Sequence, residues 1–367
     1  MTNSPINFQC PINPLSLGAV SISLLREIKR RGWTPSIIPI GNVDLSGQKQ
    51  DNDFNQWLQY CIGAGVAQHN RAVPCLKVWH INGSYESVSE KSLLLTFYEA
   101  DTPTAAELNI VKQQSRVFLS SQFGVNCFKN FGVDNIHYLP LGCDTHNFYP
   151  ISRKNFNKQI IWMISGKQEL RKSTIQMIKC WAAKFGNNRD HVLHVSCQNR
   201  FLMQQNGNQV IDHGAVEIQQ ALAGARYFNI NFYPFLDSAS FNDFFNAGHI
   251  LINLSGGESP GLDVMTALQL GKHAICLNAH AFKTMYSDKE VTWVESTSKR
   301  SVVDNKFFFP NAPFNTGSFF AWRDEDFGPA CDKALERYKM NPVNQPGIDL
   351  MKNFTWENTV NNIIKHV

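Results

Sequence analysis

The chain has 367 residues, of which 43% are hydrophobic and 17% charged, a balance typical of a globular protein with enough apolar material for two cores. Its 34 Lys and Arg residues exceed its 30 Asp and Glu residues, and the net charge of +4 permits an anionic ligand without requiring nucleic acid. No run of 18 apolar residues occurs, the first residues do not resemble a secretory signal, and the nine cysteines include no Cys-x-x-Cys pair. We therefore expect a cytoplasmic protein with reduced cysteines and no metal site.

Short apolar runs alternate with helix-like stretches along the first 150 residues. A loop containing Gly18 leads into a predicted helix that ends at Gly32. The strand-like runs that follow are 36–40, "CLKVWHI", "SLLLTFY", "RVFLS" and "NIHYLPLG", and predicted helices lie at 104–114 and 122–131. This alternation indicates a parallel sheet with helices on its faces.

A stretch rich in Pro, Gly and Asn at 139–159 interrupts the alternation and is predicted to be an interdomain linker. A second α/β pattern starts at "QIIWMISG", with predicted helices at 173–185, near 216–225 and at 238–247. We predict an N-terminal domain at 1–148 and a C-terminal domain at 149–349, with a helix at about 350–367 that packs back on the first domain. Ligands of such sheets bind at the carboxyl ends of the strands.

The segment "SGGESPGL" lies between a predicted strand and an apolar helix. Gly256 and Gly257 would let backbone amides approach a ligand closely, and Pro260 suits the first turn of a helix. The helix N-terminus near Gly261 would offer N–H donors and a partial positive charge to a diphosphate. A plain strand–turn–helix connection is the alternative.

A second loop, "ISGKQELRKST", places three cations after a strand that ends at Gly166. Lys167, Arg171 and Lys172 could bind a diphosphate and stabilise it as a leaving group. A solvated basic turn is the alternative.

These loops resemble the signature segments of retaining GT-B glycosyltransferases of family 4, the group 1 enzymes. "ESPGLDVMTALQLGKHAI" is similar to the family's "EGFGLPxLEAMAxGxPVV", and "GKQELRK" resembles its "GR" and "KG" elements with Lys167 in place of the arginine. "LPLGCDTHNFYP" resembles the segment at the family's domain junction. "SLGAVSISLLREIKRRGW" resembles its glycine-rich opening, of which Gly18 is retained. The resemblance covers four segments in the family's order.

The resemblance implies a GT-B fold, with two Rossmann-like doubly wound domains facing a central cleft. It also implies transfer of a sugar from a nucleotide diphospho-sugar, UDP- or GDP-linked, without a metal or other cofactor. Glu258 would contact the donor sugar, and Lys167 and Lys172 the diphosphate. The other implied donor-side residues are Gly18, Gly166, Arg171, Gly256, Gly257, Ser259, Gly261, Leu262 and Thr266. Thr266 stands where the family has a second glutamate that holds the ribose, which is a departure from the pattern.

The segment "LLTFYEADTPTAAELN" supplies the acceptor-side candidates and resembles a sub-group of the family that carries "wEtdxlP". A carboxylate of Glu99 or Asp101 could orient or deprotonate an acceptor hydroxyl. Asp101 or Thr102 could instead cap the helix that starts at Thr104. Tyr98 and His80 complete the acceptor-side set, with a structural role as the alternative for His80.

We expect a saccharide or lipid-linked glycan as acceptor, and a hydroxylated base of DNA is an alternative. Residues 26–33, "REIKRRGW", form a basic region that could contact a membrane surface or a DNA backbone, or could simply be solvated. A non-catalytic nucleotide-sugar-binding protein and a sugar-nucleotide epimerase are further alternatives.

Overall fold

The computed structural model describes residues 2–151, 159–197, 199, 202–206 and 209–367. These residues form two compact units. The N-terminal unit comprises Met1–Asn147, Ser301–Ser318 and Lys352–Val367, and the C-terminal unit comprises Phe148–Arg300 and Phe319–Met351. Residues 152–158 of the predicted linker lie outside the described residues.

The strands and helices alternate along most of the chain. The strands are β1 (Thr2–Asn3), β2 (Asn7–Cys10), β3 (Trp33–Thr34), β4 (Ile37–Pro39), β5 (Cys75–Val78), β6 (Ser92–Thr96), β7 (Arg116–Leu119), β8 (Ile136–Tyr138), β9 (Ile160–Ser165), β10 (His191–Ser196), β11 (Met203–Asn206), β12 (Gln209–Asp212), β13 (Ile230–Phe232), β14 (Ile250–Asn253), β15 (His273–Asn278), β16 (Thr292–Glu295), β17 (Ser298–Ser301) and β18 (Ser318–Ala321). The helices are α1 (Ser16–Arg30), α2 (Asn52–Ala67), α3 (Ala105–Gln113), α4 (Gln122–Lys129), α5 (Thr174–Phe185), α6 (His213–Ala221), α7 (Ser238–Ala247), α8 (Leu262–Gln269), α9 (His280–Met285), α10 (Asp324–Met340), α11 (Gln345–Met351) and α12 (Trp356–Ile364).

Each unit is built on a parallel sheet, which in the described residues has six strands. The N-terminal sheet has the order β4-β2-β5-β6-β7-β8, and the C-terminal sheet has the order β13-β10-β9-β14-β15-β16. When only the six strands of the second sheet are numbered in chain order, from β9 as strand 1, its order is the doubly wound 3-2-1-4-5-6. The direction of winding reverses between β9 and β14. The carboxyl ends of two strands at such a reversal form a crevice in which ligands of this fold class bind.

The central strands of the C-terminal sheet are almost wholly apolar because helices cover both faces of the sheet. Residues 250–253 of β14 are all buried, and so are residues 162–165 of β9. Trp162 of β9 and Trp181 of α5 are fully buried and anchor a core that also includes Phe185, Leu193 and Ile252. This packing fixes the strand ends on which the loops described below are mounted.

The start of α8 differs from the sequence prediction. The helix begins at Leu262, two residues after Pro260, because Gly261 takes a left-handed backbone with φ of 69° and serves as the N-cap. A side chain at this position would collide with the ring of Phe282, so both the conformation and the space require glycine.

Two segments distant in sequence complete the N-terminal unit. The α12 segment is tied to the strand end near Pro140, whose carbonyl accepts a hydrogen bond of 2.8 Å from Thr359 Oγ1. Residues 301–318, for which the sequence shows no clear periodicity, also belong to this unit. In the described part of the chain, no helix combines the length and the apolar character needed to cross a bilayer.

Candidate functional site

The two loops singled out in the sequence meet at the crevice between β9 and β14. Residues 166–173 follow β9, and residues 254–261 follow β14, its neighbour in the sheet. Gly166, with φ of 113°, turns the chain out of β9 in a conformation open to glycine. The Arg171 carbonyl accepts a 2.8 Å hydrogen bond from the Gly256 amide, which ties the loops together.

Opposite charges from the two loops form a compact cluster. Lys172 Nζ makes an ion pair with Glu258 Oε1, and Arg171 Nη1 lies 3.8 Å from the same oxygen. The Arg171 guanidinium also donates to the Gly257 carbonyl. Glu258 is 4% exposed and Arg171 is 6% exposed, so their charges interact with little screening by water.

The protonation of Glu258 follows from these neighbours. Burial alone would raise the pKa of its carboxyl, but the positive charges of Lys172 and Arg171 outweigh burial and hold the pKa below its ordinary value. Glu258 is therefore an anion at neutral pH and can accept hydrogen bonds from hydroxyl groups.

Glu169 extends the cluster and was not singled out in the sequence. Its carboxylate pairs with Lys167 Nζ and lies 3.2 Å from Arg171 Nη2. Burial raises the pKa of Glu169, but the charges of Arg171 and Lys167 reverse the shift and lower it. The position of Glu169 between the cations of "GKQELRK" could have predicted that the loop forms ion pairs within itself.

Of the two glycines of "SGGES", Gly256 does not act as predicted. The Gly256 amide donates to Arg171, and the Gly256 carbonyl accepts from the Phe320 amide at 2.8 Å, so neither backbone group is turned to a ligand. A side chain at Gly256 would collide with the Phe320 carbonyl, which explains the glycine as a requirement of close packing. The Gly257 amide has only a long contact of 3.5 Å with Ser255 Oγ.

The remaining donor-side candidates lie in or beside α8. Ser259 is fully buried next to Glu258, and Leu262 is the first helical residue. Thr266 is 8% exposed, and its hydroxyl donates to the Leu262 carbonyl at 2.9 Å. This hydroxyl is engaged by its own helix, which differs from the expected ligand contact.

An acidic side chain that was not among the predicted site residues, Asp263, lies where β9, β14 and α8 meet. Asp263 accepts hydrogen bonds from Ser165 Oγ at 3.2 Å and from Asn253 Nδ2 at 2.9 Å, at the ends of β9 and β14 respectively. Burial is the main reason that the pKa of Asp263 is raised, although Lys172 acts in the opposite direction. Asp263 thus joins both strand ends to the first turn of α8.

The acceptor-side candidates of the N-terminal unit separate into two groups. Tyr98 is 3% exposed, its ring packs edge-on against Phe128 at 4.8 Å, and burial raises its pKa, so it is a core residue and not an acceptor contact. His80 is exposed and precedes a short 3₁₀ turn, and Glu99 is half-buried.

Asp101 has a backbone partner far along the chain. Its Oδ1 accepts from the Ser318 amide at 2.7 Å, which fastens residues 301–318 to the N-terminal unit. The cap of α3 is Thr104, in a reciprocal capping box with Glu107, so the suggestion that Asp101 or Thr102 caps this helix is wrong.

Gly18 has a packing reason that the sequence did not reveal. It is the third residue of α1, and a side chain there would collide with the backbone and side chain of Asn13 in the preceding loop. The glycine therefore lets the loop after β2 lie directly against the helix.

The charges of the basic region are largely matched within the N-terminal unit. Arg26 pairs with Asp51 at 2.6 Å, while Arg30 and Arg31 pair with Glu27 at 2.7 and 2.8 Å. Burial raises the pKa of Glu27, but the two arginines outweigh it and the pKa lies below its ordinary value. These pairs reduce the attraction expected for an anionic surface.

The chain is similar to known proteins in structure but not in sequence. No protein-family model and no curated protein sequence matches the chain. The structure is similar to that of sucrose-phosphate synthase from Thermosynechococcus elongatus (TM-score 0.65, 11% identity, 100% of this chain and 98% of that chain covered). It is equally similar to Anabaena HepE in complex with UDP-glucose (TM-score 0.67, 12% identity, 98% of each chain covered).

A further match is WaaG, a glycosyltransferase involved in lipopolysaccharide biosynthesis (TM-score 0.55, 12% identity, 95% of each chain covered). The chain has the GT-B fold. The predicted α/β class with two Rossmann-like units is thus confirmed. In this GT-B chain the charged cluster lies at the point where the C-terminal sheet reverses its winding.

Proposed function

We propose that the chain is a retaining glycosyltransferase that transfers a sugar from a nucleotide diphospho-sugar to a hydroxyl group of a saccharide or lipid-linked glycan. The observation that carries the proposal is the cluster of Lys172, Arg171 and Glu258 at the crevice between β9 and β14. Lys and Arg side chains bind a diphosphate through charge-assisted hydrogen bonds, and a carboxylate can accept hydrogen bonds from the hydroxyls of a sugar. The cluster supplies both kinds of group within one site.

The ion pair suggests how donor binding would proceed. An incoming diphosphate would compete with the Glu258 carboxylate for Lys172 Nζ, because both ligands are anionic oxygens. Glu258 would then be available to accept hydrogen bonds from the donor sugar. Lys172 and Arg171 would stabilise the charge that develops on the leaving diphosphate. The protein's own cations carry this role, so the proposal involves no metal ion or other cofactor.

The resemblance of the four sequence segments implies retention of configuration, and a saccharide or lipid-linked glycan is the acceptor that we propose. Among acceptors, a glycan is favoured over DNA because the arginines of the basic region are paired with carboxylates of their own unit. The Glu99 carboxylate is the acceptor-side group that we propose to test. Glu99→Gln should lower turnover with little change in donor affinity.

The first experiment is a thermal-shift panel of UDP-, GDP-, ADP- and dTDP-linked sugars. UDP-glucose heads the panel because HepE is seen with that molecule. A ligand that binds the folded state raises its melting temperature. We expect one donor to stabilise the wild type and to lose most of its effect in Lys172→Ala and Glu258→Ala.

Matched controls are available in the same unit. Lys179→Ala and Glu336→Ala remove the same charges from exposed positions on α5 and α10, and the donor shift should persist in both. If no nucleotide sugar stabilises the wild type, the proposed donor site is wrong. If a donor binds but is never consumed with any glycan, the non-catalytic binding protein is the better description. Conversion of the free donor to another sugar nucleotide would indicate an epimerase.

A further inference from the structure

His280, which was not among the predicted site residues, lies beside the charged cluster. It follows β15, the strand next to β14, and is the first residue of α9. The side chain is 3% exposed. Its Nε2 lies 2.8 Å from the carbonyl oxygen of Ser255, which is three residues before Glu258.

The backbone of His280 is unusual for a residue with a side chain. Its φ of 40° lies in the left-handed region, which glycine adopts without steric cost and in which most other residues are strained. The same site uses Gly166 and Gly261 where the chain turns in this way. Ser173 of the β9 loop also has a positive φ, of 53°, and what marks out His280 is the buried hydrogen bond from its side chain to the Ser255 carbonyl.

The hydrogen bond fixes the state of the imidazole. A carbonyl oxygen can only accept, so Nε2 carries the hydrogen. Burial lowers the pKa of His280 to about 4, although the nearby Glu258 charge acts in the opposite direction. The ring is therefore neutral at physiological pH. It does not add a positive charge that would compete with Lys172 for the glutamate.

The Ser255 end of the loop is held from several sides. The Ser255 amide donates to Asn253 Oδ1 at 3.1 Å, and its hydroxyl donates to the Gly257 carbonyl at 3.0 Å. His280 supplies the donor for the remaining backbone group, the Ser255 carbonyl, which is completely buried. Without it, a buried carbonyl would lack this donor, and the loop would be expected to shift to recover one.

We propose that His280 is a positioning residue, which through the Ser255 carbonyl holds the loop so that Glu258 meets the sugar of the donor. The inference builds on the proposed glycosyltransferase function. It assigns His280 no contact with the diphosphate, which the cations of the β9 loop would bind. Removal of the His280 side chain should therefore weaken the contacts to the donor sugar. It should leave the contacts to the nucleoside diphosphate unchanged.

Two substitutions separate the hydrogen bond from the backbone strain. His280→Gly accepts the left-handed backbone but removes the donor. His280→Asn also tolerates this backbone and keeps an N–H donor on its carboxamide. The binding of UDP-glucose and UDP, and of GDP-mannose and GDP, is measured by calorimetry for the wild type and both variants, together with their melting temperatures.

We expect His280→Gly to bind the sugar nucleotide about tenfold more weakly than the wild type does. Its affinity for the nucleoside diphosphate, UDP or GDP, should stay within twofold of the wild-type value. His280→Asn should recover much of the lost affinity for the sugar nucleotide. Equal affinities for the sugar nucleotide in all three proteins would overturn the inference. An equal loss of affinity for the sugar nucleotide and for the nucleoside diphosphate would also overturn it, because such a loss would indicate a general structural role for His280. A wild type that binds neither donor pair would instead overturn the proposed function, and this inference with it.

Discussion

The two units of this protein differ in what Lys77 and Asp101, on one side, and Lys172 and Glu258, on the other, contact near the strand ends. In the N-terminal unit, Lys77 donates to the carbonyls of Gly83 and Glu86, and Asp101 accepts from the Ser318 amide. In the C-terminal unit, Lys172 and Glu258 pair with each other. A side chain that satisfies buried backbone can be removed only at the expense of the local fold, whereas an ion pair can exchange its partner for a charged ligand. The exchangeable ion pair is our reason for proposing that the donor binds to the C-terminal unit.

The largest effect is expected for Arg171→Ala. Arg171 is buried between Glu169 and Glu258, and its loss leaves two buried carboxylates with less compensating charge. We expect the free energy of unfolding to fall by about 3 kcal/mol or more, together with loss of donor binding. Urea denaturation measures the first effect. Arg323→Ala, which removes an exposed arginine of the same unit, should leave the urea midpoint unchanged.

A pair of lysine variants tests the comparison directly. Lys77→Met should lower the free energy of unfolding by about 2 kcal/mol, because two carbonyls lose a donor, and leave donor affinity unchanged. Lys172→Met should weaken UDP-glucose binding by about tenfold or more, since one charge-assisted contact to the diphosphate is lost. Calorimetry and denaturation on both variants give the four values. Loss of donor affinity in Lys77→Met would break the distinction between the two units.

Two buried glutamates, one in each unit, should respond to acid with opposite sign. The pKa of Glu258 is lowered from 4.5, so its contribution to stability is present above that pH and disappears as the pH falls through the lower, folded-state value. Burial raises the pKa of Glu107 in the N-terminal unit, so its contribution is largest at low pH and disappears as the pH rises through the folded-state value.

Urea midpoints between pH 7 and pH 3 measure this difference. The advantage of the wild type over Glu258→Gln should shrink as the pH falls, whereas its advantage over Glu107→Gln should grow. Parallel trends for the two variants would contradict the assignment.

The smallest effect is expected for Thr266→Val. The Thr266 hydroxyl donates to the Leu262 carbonyl in its own helix, so its removal should change donor affinity by less than about threefold. Calorimetry with UDP-glucose provides the measurement. A loss of tenfold would show that this hydroxyl contacts the donor in place of the missing glutamate.

Much of the secondary structure could be predicted from local pattern. The predicted helix at 238–247 agrees with α7, and the predicted helix at 173–185 agrees with α5 to within one residue. Helices α2 and α10 were not predicted. The pattern of α10 is obscured because Pro329 lies in its interior and because it follows an aromatic segment without clear periodicity. Residues 301–318 were not assigned to the N-terminal unit, because their attachment depends on Asp101 and Glu107, which are about 200 positions away.

The sequence by itself determined the alternation of strands and helices, the two parallel sheets, and the placement of Lys172 and Glu258 after buried strands. These properties follow from apolar periodicity and from the glycines and charges at strand ends, which are local. Only the tertiary structure decided what each polar group faces. In the folded protein the Gly256 amide donates to the Arg171 carbonyl, and Tyr98 is buried. Asp101 accepts a hydrogen bond from the Ser318 amide, and His280 donates one to the Ser255 carbonyl. Hydrogen bonds between loops depend on which strands are neighbours, and strand order is a property of the whole sheet.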